Sequence, residues 1–285
     1  MITKLNIGAS PIWKQDGWYI LDHKIKKNSN FNISGDALNI NLEDESCDVL
    51  FCSHVFEHIP HSELPLIIAE FNRVLKPNGV LRILTPDLQK IAKAYVEKNR
   101  EFFNEALDED ENLRTDLGFG GMFVNCVVSP GQDTALFDRG LNRFIAGYAH
   151  VYSYDYEMLD TIFSQLGFKN RKASFNDSEI EEMRIPMHVS HLDKKWRNLN
   201  KNFYKKNNLI HRLVDGKYEI NFTISGFDRD PLTSLIIESK KVANTSKEKA
   251  NEIFNKSQKN YNRYSRSLLN DSEFTNKLDR FGINY

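Results

Sequence analysis

The chain has 285 residues and a net charge of −1, which allows one large domain or two small ones around a buried core. This charge gives no overall attraction to nucleic acid or to an anionic membrane. We expect no membrane span and no signal peptide, because no apolar run is long enough and the first strand pattern starts close to Met1. The cysteines do not have the spacing of a zinc site, so we expect them to be small buried side chains in a cytoplasmic protein.

The first ninety residues alternate short apolar strands with small or acidic residues. A strand at Lys4 to Ile7 runs into Gly8, and a second one from Trp18 ends in Asp22. A dense apolar run, Asp48 to Ser53, predicts a buried strand, and another strand follows over 80–84. In open α/β sheets ligands bind outside the carboxyl ends of the strands. Polar residues at those ends therefore predict a ligand site there.

Helical patterns fill much of the remaining chain. Residues 62–75 place their apolar side chains on one helical face, and Lys76-Pro77-Asn78-Gly79 is expected to end that helix. Further helices are predicted over 88–103 and 154–166, with a strand following from Phe168. Strands over 218–224 and 232–238 are expected to close the sheet.

Three segments fit the alternation of strands and helices poorly. Residues 112–150 are rich in glycine and aromatic residues, which is typical of an ordered covering loop. His150, Tyr152 and Tyr154 at its end are expected to line an acceptor pocket or to pack this loop. Residues 190–217 are basic and predict an exposed helical insertion. Residues 243–285 are polar with a rough helical stripe, so a packed C-terminal helical tail and a disordered tail are both open.

The segments LNIGAS, GWYILD, GDAL, CDVLFCSHVFEH and RVLKPNGVLRILTPD resemble the class I S-adenosylmethionine (SAM)-dependent methyltransferases, and among them the type 11 branch associated with glycan biosynthesis. The RVLKPNG phrase is the most specific of these. The resemblance implies an α/β, Rossmann-like sheet over residues 1–242, mostly parallel with an antiparallel strand near the C-terminus. It also implies SAM as the methyl donor.

The resemblance also implies which residues would bind SAM. The turn after the first strand would lie under the methionine part, although Ser10 stands where the usual pattern has a second glycine. Asp22 would accept hydrogen bonds from the ribose hydroxyls, and Asp36 would accept one from the adenine amino group, unless it only forms an Asx-turn. The full cofactor set is Asn6, Gly8, Ala9, Ser10, Asp22, Asp36, Ala37, Leu38 and Ser53.

Two histidines, His54 and His58, are the candidate catalytic residues. They follow the strand that ends at Ser53 and are four apart, so on a helix they would share one face. A neutral histidine near the sulfonium can act as general base on an acceptor hydroxyl. A structural hydrogen bond is the alternative for His58. The same spacing suits a metal, but the sequence identifies no third ligand, so no metal is predicted.

Three functions are consistent with these residues. The first is a SAM-dependent methyltransferase acting on a small or glycan-type hydroxylated acceptor. The second is a non-catalytic binding protein of the same fold, suggested by Ser10 and the short connection before Asp22. The third, a nicotinamide-dependent oxidoreductase, is disfavoured because G-x-G-x-x-G is absent. A homodimer is compatible with the C-terminal tail, whereas a nucleic-acid partner is not expected.

Overall fold

The computed structural model describes residues 3–9, 13, 15–22, 25, 31–100, 102–103, 118–128, 136–138, 143–145, 149–174, 177–184, 186–188, 210–214, 217–223 and 233–256. Its largest feature is a seven-stranded sheet. In chain order these strands are β1 (Lys4–Ile7), β2 (Trp18–Asp22), β3 (Asn32–Ser34), β4 (Cys47–Ser53), β5 (Leu75–Pro86), β8 (Phe168–Ala173) and β12 (Ser234–Lys241).

The remaining described elements surround this sheet. A two-stranded sheet contains β6 (Leu136–Asp138) and β7 (Arg143–Ile145), and a three-stranded sheet contains β9 (Pro186–His188), β10 (Ile210–Val214) and β11 (Lys217–Thr223). The α-helices are α1 (Leu64–Val74), α2 (Leu88–Val96), α3 (Gly118–Val127), α4 (Tyr156–Gln165) and α5 (247–256). Short 3₁₀ helices lie at Phe56–His58, His61–Glu63 and Glu181–Arg184.

The strand order in the main sheet is β3-β2-β1-β4-β5-β12-β8. The first five strands pair in parallel, while β12 is antiparallel to both of its neighbours. The chain moves outward from β1 to β3 and then crosses back to β4 on the other side of β1. The predicted Rossmann-like sheet, with one antiparallel strand near the C-terminus, is therefore confirmed.

The central strands are buried on both faces, as expected for a parallel sheet covered by helices. In β4 the side chains of Leu50, Phe51 and Cys52 are almost fully buried. One face packs against α1 and α4, where Phe71 and Phe163 join the main core. The cysteines are free and buried, so their predicted role as small core side chains is confirmed.

The antiparallel strand β12 is locked to β5 by a buried ion pair. Nη1 of Arg82 on β5 donates to Oε2 of Glu238 on β12 at 2.8 Å. Arg171 on β8 and the hydroxyl of Ser178 also donate to the Glu238 carboxylate. Arg82 and Glu238 are 0% and 3% exposed, so the two charges compensate each other away from solvent, and Arg171 adds to the compensation of Glu238.

Several predicted elements differ in extent. The helix over 62–75 begins later, at Leu64, and the four residues from Lys76 to Gly79 form the irregular start of β5 rather than a separate turn. The helix predicted over 88–103 is interrupted: α2 ends at Val96, and residues 100, 102 and 103 are helical again. The glycine-rich part of the predicted covering loop includes α3, so it is partly helical.

The basic segment 190–217 is not helical where the structure describes it. Ile210–Val214 is a strand that pairs with β11, while 190–209 lie outside the described residues. The prediction that residues 218–224 close the main sheet is also wrong, since β11 belongs to the three-stranded sheet. The strand predicted over 232–238 is confirmed as β12. Alternation of apolar residues identified both strands but could not identify their partners.

The C-terminal tail starts as a helix packed on the core. In α5, Ala250 is fully buried in the main core cluster and Ile253 packs against it. The loop before it is held by Asn72, whose amide donates to the Ala243 carbonyl while its oxygen accepts from Thr245 N. Residues 257–285 lie outside the described part of the chain. No helix among the described residues has the length and apolarity needed to cross a bilayer.

Candidate active site

The sheet has one topological switch point, between β1 and β4, where the chain direction across the sheet reverses. Ligands of open α/β sheets bind in the crevice at the carboxyl ends of strands at such a point. Gly8 follows β1 there, and Ser53 and His54 lie at the end of β4. The fold therefore brings the predicted glycine turn and the predicted catalytic segment to the same edge.

Gly8 adopts a φ of +74°, a conformation that side chains rarely tolerate. A Cβ on this residue would lie 2.4 Å from Cγ2 of Val55, so the turn after β1 packs directly against the segment after β4. The glycine is thus required by the protein's own packing as well as by its backbone angle. Asn6 and Ala9 flank it and are buried, while Ser10 lies outside the described residues.

Of the two acids predicted to hold adenosine, Asp22 ends β2 and Asp36 lies in the turn just after the neighbouring strand β3. Asp22 is the last residue of β2, is 6% exposed, and pairs in register with Ser34 at the end of β3. Asp36 follows two residues later. Its Oδ1 accepts from Leu38 N at 2.9 Å, so the Asx-turn considered from the sequence is present. Ala37 and Leu38 pack against the main core within this turn.

The hydroxyl of Ser53 at this edge could bind a ligand. Its Oγ is buried and has no hydrogen-bond partner among the described residues. Buried hydroxyls normally have partners, and an orphan is often explained by a ligand or by water. A cofactor with polar groups at the end of β4 fits the residues present.

His54 and His58 do not share a helical face, contrary to the expectation from their spacing. His54 has a φ of +53° and precedes the 3₁₀ helix that contains His58. Nδ1 of His54 lies 2.9 Å from Oε1 of Glu57, and Nε2 lies 3.2 Å from the hydroxyl of Ser234. Both ring nitrogens of His54 are therefore engaged within the protein.

Glu57, in the 3₁₀ helix that follows β4, carries a fully buried carboxylate. Its Oε2 accepts from the Thr85 hydroxyl at 3.2 Å. Burial disfavours the charged form, but the hydrogen bond from His54 and the charges of His54 and His58 lower the pKa of Glu57 below its ordinary value. A buried ionised group of this kind needs nearby positive charge or hydrogen bonds to persist. We expect Glu57 to be ionised at neutral pH.

His58 is held by one ring nitrogen only. Its Nδ1 donates to the carbonyl of Ala149 at 2.9 Å, and its Nε2 has no hydrogen-bond partner in the described part of the chain. Nδ1 of His58 therefore forms the structural hydrogen bond considered from the sequence, while Nε2 could accept a proton from a substrate. A neutral imidazole that donates through Nδ1 carries a basic lone pair on Nε2.

His150 lies next to Glu57 and His58 and forms a cluster with them. The Glu57 carbonyl accepts from Val151 N at 2.7 Å and from Tyr152 N at 3.3 Å, which draws this segment against the corner. The His58 and His150 rings lie 5.0 Å apart at 75°. Burial lowers the pKa of His150. Ligand atoms of Glu57, His58 and His150 all lie within 4.8 Å of one another.

Sequence reasoning did not include Glu57 and His150 among the site residues. The adjacent Glu57-His58 pair was the available signal for the first. His150 was considered with Tyr152 and Tyr154 as part of a lid or acceptor pocket. The structure instead buries Tyr154 fully in the core and stacks Tyr152 on His61 with ring centroids 4.4 Å apart.

Asp87, directly after β5, caps α2. Its Oδ1 accepts from the backbone nitrogens of Gln89 and Lys90, which is the usual arrangement at a helix N-terminus.

Residues 19–83 match the family model of the type 11 methyltransferase domain. This stretch runs from β2 into β5 and contains Asp22, Asp36, Glu57 and His58. The match covers 65 of the 285 residues and shows similarity to a methyltransferase domain over that stretch. No curated protein matches the chain.

Several solved methyltransferases are similar over most of the chain. A SAM-dependent methyltransferase from Archaeoglobus fulgidus is 15% identical, with 84% of this chain and 86% of that chain covered and a TM-score of 0.36. One from Mesorhizobium loti is 9% identical, with 84% and 91% covered and a TM-score of 0.38. A Haloferax volcanii chain from a complex with a methyltransferase activator is 11% identical, with 86% and 84% covered and a TM-score of 0.39. These values are too low to transfer a substrate or a partner.

Proposed function

We propose that the protein transfers the methyl group of SAM to a hydroxyl oxygen of a small or glycan-type acceptor. The observation that carries this proposal is His58, whose Nδ1 is fixed by the Ala149 carbonyl while its Nε2 keeps a free lone pair among the described residues. An alcohol is a weak nucleophile at neutral pH and benefits from a base, whereas a neutral amine does not need one. The glycan type rests on the sequence resemblance alone.

The cofactor supplies an electrophilic methyl group. Asp22 binds the ribose hydroxyls, Asp36 and the backbone of Ala37 and Leu38 bind the adenine edge, and Asn6, Gly8, Ala9, Ser10 and Ser53 surround the methionine part. The position of Asp22 at the end of β2, the position of Asp36 just after β3, and the Ser53 hydroxyl without a hydrogen-bond partner among the described residues support this arrangement.

The acceptor oxygen forms a bond to the methyl carbon while the carbon–sulfur bond breaks, and the sulfur keeps the electron pair. The hydroxyl proton passes to Nε2 of His58. His54 acts as a positioning residue, because it holds the Glu57 carboxylate beside His58. The expected contribution of such a base is about 10²–10⁴-fold in rate.

The proposal is tested with SAM carrying a labelled methyl group and two acceptor panels, one of sugars and other alcohols and one of amines and thiols. We expect label in the alcohol panel only. His58→Gln should lower kcat by at least about 10²-fold while the Kd for SAM stays unchanged, and His61→Gln, a nearby histidine without this role, should retain activity.

Two outcomes would contradict different parts. Labelling of amines alone would refute the hydroxyl acceptor. Absence of SAM binding by calorimetry would favour the non-catalytic binding protein instead.

A further inference from the structure

Glu57, His58 and His150 place a carboxylate and two imidazoles around one point. Their ligand atoms lie within 4.8 Å of one another. Metal–ligand bonds of about 2.0–2.2 Å place neighbouring ligand atoms about 3–4 Å apart. Small side-chain rotations would therefore bring all three to one ion.

The two imidazoles are supported in the manner of metal ligands. His58 donates through Nδ1 to the Ala149 carbonyl, and His150 forms a hydrogen bond with the backbone of Cys126. A ligating histidine almost always donates its other ring nitrogen to a carbonyl or carboxylate, which fixes the ring and its tautomer. Glu57 is supported in the same way by His54 and Thr85.

The charge balance around Glu57 also favours a bound cation. Glu57 is 0% exposed, and in the described part of the chain its carboxylate has no lysine or arginine partner. The histidines beside it carry a positive charge only when protonated, so this buried carboxylate lacks a permanent counter-charge among the described residues. A divalent ion beside Glu57 would supply that charge.

We propose that Glu57, His58 and His150 bind a divalent transition-metal ion. Two nitrogen ligands and one oxygen ligand suit Zn²⁺, Co²⁺ or Fe²⁺, and three protein ligands leave coordination positions for a substrate. Hard ions such as Ca²⁺ and Mg²⁺ prefer sites made of oxygen ligands.

The catalytic consequence rests on the proposed function. In the metal-bound protein, Nε2 of His58 is a ligand and no longer accepts the proton. A bound ion would lower the pKa of a hydroxyl that it binds, and the proton would pass to solvent water before methyl transfer. The metal-free protein retains the route through His58.

The site is tested with full-length, tag-free protein that has been treated with chelator and then freed of it. Zn²⁺ is titrated by calorimetry, and Co²⁺ is followed by its visible absorption. We expect one ion per chain. His58→Gln and His150→Gln should each weaken Zn²⁺ binding by at least about tenfold, and His61→Gln should bind as the wild type does.

Because Glu57 is fully buried, Glu57→Gln is informative only if circular dichroism shows that it folds, so the two histidine variants decide the result. Equal Zn²⁺ affinity in wild type, His58→Gln and His150→Gln, or no binding by the wild type, would overturn the metal site. Metal binding without methyl transfer would refute the proposed function alone. Methyl transfer by a protein that binds no metal would refute the metal site alone.

Discussion

The side chain of Val55 occupies the space that a Cβ on Gly8 would need, with Cγ2 only 2.4 Å from that position. Gly8 follows β1 and Val55 follows β4, so this contact joins the two halves of the sheet at the switch point. The turn therefore cannot move toward the β4 side without displacing Val55. The contact fixes the Gly8 turn that would lie against the proposed cofactor.

Gly8→Ala should destabilise the fold more than Gly17→Ala, measured as the free energy of unfolding in urea. Both glycines have positive φ, at +74° and +76°, but nothing lies within 4 Å of a Cβ on Gly17. The control should cost about 1–2 kcal/mol for the backbone angle, and Gly8→Ala about 1–3 kcal/mol more for overpacking. Adding Val55→Ala to Gly8→Ala should recover most of that extra cost; equal losses at the two glycines would contradict the packing argument.

Asp22→Ala should weaken SAM binding by about 1–3 kcal/mol, because the ribose hydroxyls lose a charged acceptor. Calorimetry measures the Kd, and thermal unfolding checks that the fold survives. Asp16→Ala, an exposed acid in the turn before β2, is the matched control and should bind SAM normally. An unchanged Kd in Asp22→Ala would place the ribose elsewhere.

The positions of Asp22 and Gly8 could be predicted from the sequence, because the end of a strand is visible in the local residue pattern. Asp22 and Gly8 each follow an apolar run, and in a parallel sheet such positions meet at one edge. The position of His150 against His58 was not predictable in this way. It depends on backbone bonds from Val151 and Tyr152 to the Glu57 carbonyl, which no local pattern encodes.

Glu238→Gln should cost about 3–5 kcal/mol of unfolding free energy at neutral pH, because the buried Arg82 guanidinium loses the charge of the Glu238 carboxylate. Glu179→Gln is the control, since Glu179 is half exposed and its pair with Lys240 spans 3.6 Å. That variant should lose less than about 1 kcal/mol. Similar losses in both variants would refute the role assigned to the buried pair.

The same carboxylate should make stability depend on pH. Burial opposes its ionisation, but hydrogen bonds from Glu179 N, Ser178 and Arg171 and the charge of Arg82 lower the pKa of Glu238 below 4.5. The stabilisation is therefore fully present above about pH 4.5 and is lost as the pH falls through the lowered pKa. Urea melts between pH 3 and 7, spanning roughly the range of carboxylate titration, should show a smaller acid-dependent loss in Glu238→Gln than in the wild type.

Truncation after Val242 should lower the Tm by at least about 5 °C, because it removes α5 and exposes the core beneath it. Ala250 is fully buried in that core, and Asn72 would lose its partners Ala243 and Thr245. A chain that ends at Lys256 keeps α5, so the difference between the two truncations isolates the contribution of 243–256. A polar helix of this length is marginal in isolation, so its order must come from packing. If the chain ending at Val242 keeps both its Tm and its oligomer mass, the C-terminal helix is dispensable and the packing seen at Ala250 contributes nothing to stability.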